Sequence, residues 1–169
     1  MAVDSGLLLV IAGIAAVMDV HRAQVENGWI LFALCMGLLW RILQEGPKGS
    51  LGFAAGAVFP LAVLGVLFYF RMLGPGDIKL FCALGGIMGI SDISICMLVS
   101  FLLGAVFSLA ILISSGNFCR RFQYLICYFR EYFHTGKVKP YYQRGMALEN
   151  FHFTVPVFLS VVLYAGGVY

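Results

Sequence analysis

Apolar residues along the 169-residue chain fall into six stretches, separated by short clusters of polar residues, glycine and proline. Cutting the chain at those clusters predicts helices at 5–22, 28–43, 51–73, 78–90, 93–113 and 151–168. The fourth is the shortest. At about 1.5 Å per residue, its apolar part covers about 20 Å of a hydrocarbon layer roughly 30 Å thick, so it either spans or re-enters. Between the fifth and last stretches, Phe118, Phe122, Leu125, Ile126, Phe129 and Phe133 recur at helical spacing. Arg120, Gln123, Arg130, Glu131 and His134 take the opposite side, the pattern of a helix lying in a membrane interface. The fold expected is an all-α polytopic membrane protein. It has six transmembrane helices, an amphipathic interfacial segment at about 114–150 before the last span, and a single domain over 1–169.

Composition strengthens this reading. Hydrophobic residues make up 62% of the chain and charged residues 11%, far from the balance of a soluble globular domain. The first apolar run lacks a preceding basic region and a small-residue cleavage site, so it reads as a retained span, with the mature chain starting near Met1. If all six stretches span, the first, third and fifth loops share one side. Those loops hold Arg22, Arg71, Lys79, Arg120, Arg121, Arg130, Lys137, Lys139 and Arg144, leaving only Arg41 and Lys48 for the other side. Basic loops stay cytoplasmic, so both termini face outside. The net charge of +3 reflects this asymmetry and predicts no nucleic-acid partner. Cys35, Cys82, Cys96, Cys119 and Cys127 include no Cys-x-x-Cys pair, and His21, His134 and His152 fit no ligand spacing. No metal or cofactor is expected, and the histidines receive no role.

Two aspartates then stand out at the same cytoplasmic margin: Asp19, ending the first stretch, and Asp77, within Gly74-Pro75-Gly76-Asp77-Ile78-Lys79-Leu80. A carboxylate at membrane depth costs several kcal/mol to keep ionised, about 2.5 to 3.5 on insertion scales, so its presence there points to use. Two carboxyls at hydrogen-bonding distance share a proton; one then serves as base toward water and the other as acid toward a peptide carbonyl. Gly74 and Gly76 suit such a site, because residues without Cβ can adopt positive φ and admit a substrate backbone. Each aspartate also has a structural explanation: Asp19 as a helix-end partner of Arg22, and Asp77 as the N-cap of the next helix. Lys79 either favours the ionised pair or anchors its helix at the headgroups. Asp4 and Asp92 fall on the far side. Gly52-x-x-x-Gly56, Gly85-x-x-x-Gly89 and Ser100-x-x-x-Gly104 form small-residue ridges for packing within the chain first and for a homodimer second.

At these residues the chain resembles the type IV prepilin peptidases, membrane aspartic proteases with a Gly-x-Gly-Asp motif. The run from Gly74 to Leu80 is similar to the family's Gly-x-Gly-Asp-x-Lys-Leu, and Val25-Glu26-Asn27 after Asp19 is similar to its Ile-Pro-Asn. Phe153-Thr154-Val155-Pro156-Val157 looks like its proline-containing terminal helix. The resemblance implies catalytic roles for Asp19 and Asp77, beside which Gly74, Gly76 and Lys79 are candidates for support. It implies removal of a short basic leader from pilin-like precursors at the cytoplasmic side of the cell membrane. Glu26, standing where the family has proline, and Asn27 are candidates to contact the leader. The long bifunctional relatives carry a Cys-x-x-Cys segment and methylate the new N-terminus. This chain has no such pair, so cleavage without methylation is expected, as in the short peptidases of Flp-type (tight-adherence) pili or their archaeal preflagellin counterparts. Two other classes stay open: a small transporter or channel with an Asp19/Asp77 proton or cation relay, and a non-catalytic assembly subunit.

Overall fold

The computed structural model describes residues 2–22, 24–70, 72–114, 130 and 152–169. Six helices appear among them: α1 (Ala2–Arg22), α2 (Asn27–Glu45), α3 (Pro47–Tyr69), α4 (Pro75–Met88), α5 (Ile90–Ser114) and α6 (Thr154–Ala165). All six expected stretches are helical, and every described element is a helix. The expected amphipathic helix lies outside the described residues, apart from Arg130.

Four helices are long and apolar enough to cross a membrane, namely α1, α2, α3 and α5. Their outward positions are oily: Val10, Val17, Leu31, Leu51, Val66, Leu98, Leu102 and Val106 are all more than half exposed. Such surfaces are stable in lipid and would be a severe liability in water. The 14-residue α4 is different. Ile78, Leu80, Phe81, Ala83, Leu84 and Ile87 are all buried, and they cover every side of the helix. α4 packs against α1, α2, α3 and α5, so it forms the centre of the bundle, while α6 packs on α1 and α5.

The close approach of α3 and α4 has a specific cause. A Cβ on Gly56 would collide with the carbonyl of Gly85, and one on Gly85 with the carbonyl of Gly56. The two ridges read from the sequence therefore meet each other inside the chain. The ring of Phe53 covers Gly86 in the same way, and a Cβ on Gly37 would lie 2.7 Å from Ile87.

Positive φ is used at turns rather than beside Asp77. Gly46 (φ 68°) joins α2 directly to α3, and Gly89 (φ 87°) joins α4 to α5. Connections this short make successive helices neighbours. Gly74 has φ −71° and Gly76 lies within α4, so the expected positive φ at these two residues does not occur. Boundaries also move. Pro47 starts α3 four residues earlier than the hydrophobicity suggested, because proline is favoured in a first helical turn. α6 is shorter than expected: Gly166 and Gly167 end it, with the Gly167 N–H donating to the Tyr164 carbonyl.

Candidate active site at one end of the bundle

The C-terminal end of α1 and the N-terminal ends of α2, α4 and α6 converge at one end of the bundle, bringing Asp19, Asn27, Asp77 and Thr154 to the same region. Asp77 occupies the third residue of α4. Gly74 is the N-cap and Pro75 opens the helix, so Asp77 is not the cap that its position before an apolar run suggested. Its carboxylate instead folds back to accept a hydrogen bond from the Gly74 backbone. This explains the glycine at 74: a Cβ there would stand 3.1 Å from Asp77 Oδ2. Apart from its neighbours in the chain and helix, no described atom lies within 4 Å of a Cβ at Gly76.

Asp77 lies ahead of the apolar run of α4, a helix too short to count among the spanning ones. Three influences act on its carboxyl. Burial raises its pKa most, the nearby Asp19 charge raises it further, and the Gly74 hydrogen bond lowers it. The raising effects win, and the pKa is pushed from 3.8 to about 6. Asp77 therefore holds its proton to a higher pH than an ordinary aspartate does.

Asp19 sits in the last turn of α1, where the negative end of the helix dipole opposes a carboxylate. It is compensated by α6 and the residues just before it. Thr154 donates its hydroxyl to Asp19 Oδ2 at 2.7 Å, and His152 Nδ1 lies 3.2 Å from the same oxygen. Arg22, the partner suggested by the sequence, is used elsewhere: it pairs with Glu26 across the α1–α2 connection. Thr154 is buried and the Asp19 side chain is only 14% exposed.

Lys79 also has a partner that the sequence did not suggest. Its ammonium donates to Asn27 Oδ1 at 2.8 Å, fastening the first turn of α4 to the start of α2. Trp29 adds a second tie at this end, donating from Nε1 to the Ile11 carbonyl at 3.3 Å. The sequence reading thus found both carboxyls and the residues around Asp77. It missed Thr154 and His152, because 135 residues separate Thr154 from Asp19 and no local spacing records such a contact.

The other end of the bundle differs in chemistry. A cavity of about 700 Å³ opens there, lined by residues that include Leu8, Trp40, Arg41, Gln44, Met88 and Tyr169. Asp92 accepts a hydrogen bond from Tyr164 at 2.8 Å, at the end of α6 opposite Thr154. This cavity is remote from the aspartates. Among the described residues, no group of three or more His, Cys, Asp or Glu side chains is arranged to hold a metal ion.

Comparison with known proteins identifies a family. The model of the type IV leader peptidase family matches residues 6–109, which include both aspartates and all of α2, α3 and α4. A prepilin leader peptidase/N-methyltransferase of Bacillus subtilis (strain 168) is 32% identical over 111 residues, covering 64% of this chain. The matched region is 44% of that relative's length, so the chain aligns with less than half of it. No solved structure matches the chain.

Proposed function

The chain belongs to the type IV leader peptidase family, and we propose that it is a membrane aspartic endopeptidase that removes a short basic leader from pilin-like precursors. The observation that carries this reading is the placement of two carboxyls from different helices at one end of the bundle, close enough for the charge of Asp19 to raise Asp77.

The reaction needs only water and these two groups. Asp77 supplies a proton to the oxygen of the scissile carbonyl while the other carboxyl takes a proton from the attacking water. The new C–O bond gives a tetrahedral diol. Its collapse breaks the C–N bond, with a proton passing to the leaving amine. The product N-terminus belongs to the apolar helix of the pilin, and the leader leaves with a new carboxylate.

Were all six helices to span, with both termini outside, this chemistry would lie on the cytoplasmic side. Most basic residues then lie on the side of the aspartates, where a precursor standing in the bilayer presents its leader junction. Glu26 is 53% exposed at this end and carries the Arg22 guanidinium, so a basic leader would bind it by displacing Arg22. Glu26→Gln should then raise the apparent KM; an unchanged value dismisses that contact. Asn27, already occupied by Lys79, acts through the α2–α4 tie. Because the sequence contains no Cys-x-x-Cys pair, the proposed activity is cleavage alone. Mass spectrometry should find the mature pilin unmethylated after incubation with the purified protein and a methyl donor.

Co-expression with a pilin-like precursor tests the central reading. The wild-type protein should convert the precursor to its shorter form, and Asp19→Asn and Asp77→Asn should each abolish conversion. Processing retained by either variant removes that residue from the mechanism.

A further inference from the structure

α6 and the residues just before it lie outside the part of the chain that matches the family model, yet they supply the two described side chains, Thr154 and His152, that meet Asp19 Oδ2. Thr154 opens α6, where a threonine hydroxyl commonly serves its own backbone. Here it does not. No side chain caps α6, and the Thr154 hydroxyl reaches across to Asp19 Oδ2 at 2.7 Å from a buried position. His152 approaches the same oxygen at 3.2 Å. Both contacts fall on the same oxygen, Oδ2. A carboxylate held by one oxygen presents the lone pairs of the other in a fixed direction, the requirement for taking a proton from a positioned water.

We propose that Thr154 is a positioning residue that holds Asp19 in the orientation of the general base. This assigns unequal roles to the two carboxyls: Asp19 activates water, and Asp77 acts as the proton donor. It rests on the peptidase reading and deepens it. A purely cohesive role, with the hydroxyl fastening α6 to α1, makes a different prediction, because cohesion affects melting and leaves turnover by the folded protein unchanged.

The test uses the purified full chain in detergent, with a synthetic precursor that has a basic leader, a glycine and an apolar helix. Thr154→Val keeps the shape of the side chain and removes the donor. It should lower kcat about tenfold or more with KM within about twofold, the scale of losing a hydrogen bond to a charged group. Thr154→Ser restores the donor and should recover kcat to within about threefold. Thr154→Val with kcat within twofold of wild type, or Thr154→Ser as slow as Thr154→Val, overturns the proposal. If Thr154→Val does not yield folded protein, Thr154→Ala is read by the same criteria, and failure of both to fold also overturns it by assigning the contact to cohesion. The peptidase reading fails separately, through processing by Asp19→Asn or Asp77→Asn. A wild-type protein that cuts no precursor removes both readings.

Discussion

Asp77 shows how one side chain links chemistry to stability. Its carboxyl pKa is about 6 in the folded protein, against an ordinary value of 3.8. Below pH 4 the group is protonated in both folded and unfolded chains, and its contribution to stability is then greatest. As pH rises from 4 to 6 the unfolded chain loses the proton first, so stability falls, by at most about 3 kcal/mol once both forms are ionised. Asp77→Asn carries no such penalty, so at pH 8 it should melt above wild type, with the gap closing toward pH 4. Thermal unfolding in detergent at the two pH values checks this. A mutant more stable than the native protein, yet inactive, would mark a residue retained for chemistry. Asp19 and Asp77 were legible in the sequence because ionisable groups are rare in oily segments. Gly74 was legible as a site residue for a different reason from the real one: its missing Cβ makes room for the Asp77 carboxylate, and its φ is ordinary. Thr154 and His152 were not legible, since neither stands out by composition and only the tertiary fold brings them to Asp19.

At the scale of helices, the hydrophobic pattern located every described element but could not rank them. α4 is the shorter of the last two helices before the long loop, but its hydropathy does not say that it is the enclosed one. The structure separates them, since α4 is enclosed on all sides whereas much of α5 is exposed. The difference lies in small residues that let neighbours approach, above all Gly56 and Gly85. Backbone cannot move aside as a flexible side chain can, so Gly56→Ala and Gly85→Ala should each cost about 1 to 3 kcal/mol. Gly65, on the same helix as Gly56, has open space where its Cβ would lie. Gly65→Ala should be neutral or slightly stabilising, as expected when alanine replaces glycine within a helix. Melting temperatures of the three variants in one detergent decide the matter. Arg41 provides a polar counterpart to this packing: it donates from Nε to the Gly86 carbonyl at 3.4 Å and pairs with Glu45, tying α2 to the far end of α4.

For the whole molecule, the proposed orientation puts the aspartate end in the cytoplasm and the Arg41 and Glu45 end outside. A background with its cysteines replaced allows a direct check. A cysteine at Glu45 should react with a membrane-impermeant maleimide in intact cells, while one at Arg22 should react only after the membrane is opened. The reverse pattern would place the chemistry outside and separate it from a cytoplasmic leader. The long basic segment that sets this orientation in the sequence lies almost entirely among the residues that the structure does not describe, so accessibility measurements carry that question.

The hydrogen bond between Thr154 and Asp19 joins positions 135 residues apart, so the two ends of the fold are chemically interdependent. During synthesis, both carboxyls emerge from the ribosome well before the threonine that steadies one of them. On the proposed reading, a nascent chain would hold both carboxyls before Thr154 aligns one of them, and cleavage would begin only after α6 has joined α1.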